Sequence, residues 1–175
     1  GASDPNARDT RRWPTILSGD LTGDDSAGAD PCSLWIDASR MDNSRHVVTA
    51  WHVDRTTVLD GVRIMGGSAE GPLAETGIAE EPRGGGMHIT GGGPCLRDCT
   101  LAENWAAEGG GALYATQSSP ELSLCTFRAN ATGLGSEASE SSGGALFVVG
   151  GGLTLTSCSL NGNLSGGSGG AGALG

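Results

Sequence analysis

Four aspartates crowd one short run, D-L-T-G-D-D-S-A-G-A-D, as Asp20, Asp24, Asp25 and Asp30. Calcium takes several hard oxygen ligands from acidic loops of this kind, so these four are the candidate metal ligands. The run lacks the EF-hand spacing and its terminal Glu, and a solvated acidic loop is the competing reading. Five cysteines and three histidines complete the groups that could do chemistry. They form no C-x-x-C pair and no histidine cluster with zinc spacing, so His46, His52 and His88 read as surface or strand residues. No catalytic constellation is identified, and no cofactor other than calcium is indicated.

The cysteines belong to a repeat. L-x-x-C-x-(L/F)-x-x-N occurs at Leu96 to Asn104, Leu122 to Asn130 and Leu155 to Asn163. Glycine pairs lead in each copy, at Gly85-Gly86, Gly110-Gly111 and Gly143-Gly144, and Gly169-Gly170-Ala171 opens another unit. A period of roughly 25 to 33 residues signals a solenoid. Apolar residues such as Leu122 and Leu124, or Cys158 and Leu160, alternate over short spans broken by bends, a strand pattern and not a helical one.

Stacked strands lie about 4.8 Å apart, so equivalent residues form ladders along the axis. Cys99, Cys125 and Cys158 become one ladder, small and apolar enough for a narrow interior. Asn104, Asn130 and Asn163 become another, placed at corners, where Asn tolerates a left-handed turn and stacked amides bond to one another. Cys95 precedes inward Leu96 and is expected to point outward; a bridge between Cys32 and Cys95 stays open, since sequence cannot fix connectivity.

The fold class expected is all-β: a right-handed, single-stranded parallel β-helix. Residues 1–43 read as an irregular segment with first strands and the acidic loop, and residues 44–175 as about four coils plus the start of another, in one continuous domain. Pro14 to Asp20 supplies a first strand, His46 to Trp51 another. In Thr56 to Ile64, Leu59 matches Leu96, Val62 the cysteine, Ile64 matches Leu101, and Gly67 takes the Asn corner. Insertions at Ser68 to Arg83 and Leu134 to Ser142 should bulge from corners, where solenoids often build a working face.

At 175 residues with 32 glycines and a net charge of −10, the chain has no three-residue glycine period that would mean collagen. An acidic exterior without a basic stripe or aromatic platform excludes nucleic acid as a partner, and no apolar run is long enough to cross a membrane. Gly1 follows no initiator methionine and the final residues fall inside a repeat, so a fragment lacking both natural ends is expected, with end-to-end self-association of its uncapped coils.

Gly-Gly-Ala-Leu at 110 to 113 and 143 to 146, with Phe127-Arg128-Ala129-Asn130, resembles the GGA(I/L) and FxxN repeats of polymorphic outer membrane proteins. Leu101 and Leu160 depart from it by replacing Phe, and Met87 by replacing Ala. The stretches PTILSGD, DNSRHVV and TVLDGVRIMGG resemble secreted bacterial parallel β-helix proteins of the pectin-lyase-like class. The resemblance spans roughly residues 14 to 174 and implies an exported protein, often displayed at the cell surface.

Three functions are expected to compete. One is an extracellular or cell-surface scaffold, adhesin-like or glycan-contacting, with polysaccharide or another surface component as partner. Another is a polysaccharide lyase or glycoside hydrolase acting on acidic polysaccharide, with outward Asp60, Arg63, Arg97 and Asp98 as candidates; stacking Leu59 beside Leu96 sets Asp60 next to Arg97. Gly23-Asp24-Asp25 is similar to the paired aspartates of polygalacturonases but lacks their neighbouring histidine. The third is a purely structural segment of a longer passenger domain.

Overall fold

The computed structural model describes residues 8–70, 82–133, 141–167 and 172–174. Apolar residues alternate with polar ones over three to six positions, and the chain bends after each such run. β1 (Thr15–Ser18) comes first. The first complete coil holds β2 (Val48–Val53), β3 (Val58–Asp60), β4 (Val62–Met65) and β5 (Ser68–Ala69). The second holds β6 (Met87–Gly92), β7 (Cys95–Arg97), β8 (Thr100–Ala102) and β9 (Trp105–Ala106). The third holds β10 (Leu113–Ser118), β11 (Glu121–Ser123), β12 (Thr126–Arg128) and β13 (Ala131–Thr132). β14 (Leu146–Val149), β15 (Thr154–Thr156), β16 (Ser159–Asn161) and β17 (Leu164–Ser165) form the fourth, and β18 (Gly172–Leu174) follows.

Neighbouring coils pair in parallel, and the rod has four faces. The first is β2-β6-β10-β14-β18, the second β3-β7-β11-β15, the third β1-β4-β8-β12-β16 and the fourth β5-β9-β13-β17. This is a parallel β-helix, the architecture the repeats predict. Leu59, Leu96, Leu122 and Leu155 stack in register, as do Ile64, Leu101, Phe127 and Leu160. Val48, Met87, Leu113 and Leu146 make a third column. Ile64, Leu96, Leu101, Leu113 and Phe127 are completely buried, and the core is continuous along the axis. Each inward side chain rests on its equivalents above and below, so truncating one, as in Leu101→Ala, costs about 2–5 kcal/mol.

Corners are set by left-handed residues that fall in columns. Ahead of Gly67 and of the three corner asparagines stand Gly66, Glu103, Ala129 and Gly162, all at positive φ. Gly61, Asp98, Leu124 and Ser157 form a second such column, and His52, Gly91, Gln117 and Gly150 a third. The corner asparagines themselves do not take the left-handed conformation expected of them. That turn belongs to the preceding residue, and the asparagine contributes its amide instead.

The glycine lead-ins align differently from the sequence reading. Pairing of Met87 with Leu113 and of Leu113 with Leu146 sets Gly84 beside Gly110 and Gly143, so Gly86, not Met87, replaces Ala112 and Ala145. The run Gly84-Gly85-Gly86 hides this one-residue shift. Ser68 and Ala69 belong to β5, so the first insertion begins later than expected; residues 71–81, 134–140 and 168–171 lie outside the described residues. β2 likewise runs from Val48 to Val53, starting and ending two residues later than the expected strand.

Residues 19–45 are folded onto the rod. Ser44 accepts the Ser68 N–H and donates its own to Gly19, which continues the ladder into an incomplete turn before β2. Asp37 caps a short 3-10 helix, Ala38–Asp42, by accepting the Ser39 N–H. Leu34 is buried against Trp105 and Ala131 on the outer side of the fourth face, with Ala29, Ala107 and Leu164 around them.

Candidate functional site

Asp20, Asp24 and Asp25 converge, with one carboxylate oxygen of each within 4.8 Å of the others; Asp30 is outside this group and accepts the Cys32 N–H instead. The converging oxygens are committed to protein donors. Asp20 accepts N–H groups from Gly23, Asp24 and Asp25. Partial desolvation favours its neutral form, yet these amides and that of Thr22 outweigh it and hold the carboxyl below its ordinary value. Asp24 accepts the Thr22 hydroxyl at 2.8 Å. Asp25 accepts Arg40 Nη1 at 3.0 Å and Asn43 Nδ2 at 2.8 Å. Calcium needs six to eight oxygens around it. A guanidinium already bonded to one of the three carboxylates makes this cluster a staple of the corner.

Arg40 is the centre of that staple. Its side chain is buried, and its Nη2 donates to the Glu103 and Gly67 carbonyls at 2.8 and 3.3 Å. Burial pulls its pKa down, against the opposing pull of Asp25, Asp37, Glu103 and Asp20; the arginine remains a cation. Glu103 is buried too, accepting Arg128 Nη1 at 2.8 Å and the Gly28 N–H at 3.1 Å. Nothing in the repeat pattern singled out Arg40 or Glu103, because Arg40 lies in a segment without periodicity and the positions equivalent to Glu103 in the other coils are Gly66, Ala129 and Gly162.

Inside the rod, Asn104 Nδ2 donates to the Ile64 carbonyl and to Asn130 Oδ1 at 3.1 and 3.0 Å. Asn130 Nδ2 repeats the pattern toward the Leu101 carbonyl and Asn163 Oδ1 at 3.0 and 2.8 Å. The thiols form the neighbouring column. Cys99, Cys125 and Cys158 donate weakly to the carbonyls of Leu59, Leu96 and Leu122 in the preceding coil. The adjoining Cys99 thiol and burial both push the Cys125 thiol well above the ordinary range. Cys32 and Cys95 are free thiols, so the bridge left open between them is absent. Cys95 sits on the outward side of β7, yet it is buried beside Val58 and Glu121. The Cys32 thiol is exposed and raised by the hydrogen bond and charge of Asp30, with some desolvation.

On the first face, His46 and His88 lie edge to face with ring centres 5.0 Å apart, and Tyr114 and Phe147 continue the row. His52 stands apart at a left-handed position, stacked on exposed Trp51.

A groove of about 350 Å³ runs along the corner between the second and third faces. Arg63, Asp98, Thr100 and Thr126 line it from successive coils, and Thr10 and Arg11 close it from the N-terminal segment. Asp60 and Arg97 are register partners, as expected, but the Asp60 carboxylate pairs with Arg8 at 2.9 Å. Thr10 Oγ1 donates to Asp98 Oδ2 at 3.1 Å. The sequence reading found Arg63 and Asp98 and missed Thr10 and Arg11. Their signal was the local run Arg8-Asp9-Thr10-Arg11-Arg12, basic within an acidic chain.

No known family, curated protein or solved structure matches the chain.

Proposed function

We propose that the chain is an extracellular or cell-surface β-helix scaffold that contacts glycans through its outer groove. The observation that carries this reading is the groove itself, which sets Arg63, Thr100 and Thr126 on adjacent parallel strands beside Thr10 and Arg11 of the N-terminal segment. Clefts of this size hold small-molecule units, and polar groups fixed on regular strands supply orientation. The resemblance to polymorphic outer membrane proteins and to the pectin-lyase-like class supports display outside the cell. Binding of the intact protein to a broad glycan panel tests the reading, and uniform failure to bind would remove it.

A second reading is a lyase or hydrolase acting on acidic polysaccharide. Its support is Arg63 and Asp98 in one groove. Asp60, tied to Arg8, is the weaker candidate for acid or base work. Release of unsaturated or reducing ends from polyuronates, lost in Arg63→Gln, would support this chemistry, and intact substrates after prolonged incubation would oppose it.

Self-association end to end is also proposed for this chain. Leu155, inward in register but 41% exposed, lies on the edge strand β15, whose described pairing is to β11 alone. Parallel edges of this kind template further strands. Sedimentation that shifts to larger species as concentration rises is the expected behaviour.

A further inference from the structure

We infer that the groove is an oxyanion site, completed by the N-terminal segment, which holds the carboxylate or sulfate group of an acidic saccharide; this deepens the glycan reading and rests on it. The chain carries a net charge of −10, so a surplus of cations at one place is unexpected. Around this groove the acids are already engaged. Asp60 is paired with Arg8, and Asp98 accepts the Thr10 hydroxyl but keeps its charge, so the lining sets two guanidinium groups, Arg11 and Arg63, against one carboxylate. Arg11 and Arg63 face the same space, and neither has an ion-pair or hydrogen-bond partner among the described residues.

Arg63 is half-buried. A guanidinium stripped of part of its water and given no protein acceptor is poised to take one from a ligand. Its planar fork matches carboxylate and sulfate oxygens two at a time, which a neutral sugar cannot exploit. Thr100 and Thr126 follow Arg63 in one column, each one coil further along. Hydroxyls spaced at about 4.8 Å along the sheet donate to the acid group or accept from ring hydroxyls.

Arg11 is delivered by a seat. The Thr10 methyl lies over Gly61, which is left-handed and has no Cβ to obstruct it, and the Thr10 hydroxyl reaches Asp98. The anion site is therefore incomplete on the coils alone.

The test is a calorimetric titration of the full chain with three oligosaccharides of equal length: a polygalacturonate, a sulfated glucan and an unmodified glucan. At least one acidic ligand should bind tenfold more tightly than the neutral one, and the better of the two identifies the acid group. Arg63→Gln and Arg11→Gln should each weaken that binding about tenfold, Thr10→Val should weaken it with an unchanged melting temperature, and Arg55→Gln, on an arginine paired with Glu121 outside the groove, should leave Kd within twofold. Wild-type affinity in both groove variants, or equal loss in Arg55→Gln, overturns the site. If acidic and neutral glycans bind alike, the oxyanion site falls while the glycan-contacting scaffold stands; if none binds, both fall.

Discussion

Asn104 and Asn130 are joined twice across adjacent coils, for the Asn130 carboxamide oxygen accepts both the side-chain amide and the backbone N–H of Asn104, at 3.0 and 3.1 Å. Both residues are fully buried. Asn130→Ala would strand these donors and the Leu101 carbonyl in a dry interior, at about 1–3 kcal/mol for each buried group left unpaired. Urea unfolding should show a loss of several kcal/mol for Asn130→Ala. Asn163→Ala, in the less buried outer coil, should lose less.

The thiol column admits a sharper contrast. Cys125→Val keeps a small apolar group in the core and should cost less than about 1.5 kcal/mol. Cys125→Asp introduces a carboxylate with no cation beside it and should cost several kcal/mol or abolish folding. Equal melting temperatures for the two variants would place residue 125 outside the core.

Backbone handedness makes an opposite pair of predictions. Leu124 is left-handed and 63% exposed, so Leu124→Gly relieves about 1–2 kcal/mol of conformational cost, partly offset by a more flexible unfolded chain. A net gain of roughly 0.5 kcal/mol in urea unfolding is expected. Gly162 is left-handed with open space around it, so Gly162→Ala should cost about 1 kcal/mol from conformation alone. Gly67 differs, since a Cβ there would run into the Gly85 carbonyl, and Gly67→Ala should be the most damaging of the three.

Acid should loosen the aspartate corner. The folded-state pKa of Asp20 lies below its unfolded value, so its contribution is fully present above about pH 4 and is lost as pH falls through the folded value. The melting-temperature difference between wild type and Asp20→Asn should therefore shrink on acidification and be constant near neutrality. Because the carboxylates of this corner are engaged by protein donors, millimolar calcium should leave the wild-type melting temperature unchanged.

The strap at residues 19–45 is held through a buried ion pair. Arg40→Ala leaves Asp25 without its cation and two carbonyls without a donor, and about 3–5 kcal/mol of destabilisation is expected. Trp105, now covered by Leu34, should shift its fluorescence to longer wavelength if the strap lifts before the coils unfold.

What could be read from residue types divides along one physical line. Inward positions repeat because each must fit the same narrow interior and rest on its own kind, so Leu96, Cys99, Leu101 and Asn104 announced themselves through their copies. Contacts made once carry no such echo. The pairing of Arg40 with Asp25, the Leu34 cover on Trp105 and the Thr10 bond to Asp98 join an aperiodic segment to the rod, and no spacing rule connects them. The glycine register escaped for a different reason, since three consecutive glycines offer two alignments that only the pairing of Met87 with Leu113 resolves.

The central claim is that equivalent side chains from successive coils stack inside one rod, and through-space proton contacts in solution test it most directly. The Phe127 ring should show nuclear Overhauser contacts to the methyl groups of both Leu101 and Leu160, its neighbours in the column. Contacts to one of them alone, or to neither, would contradict the stacked architecture and the groove that depends on it.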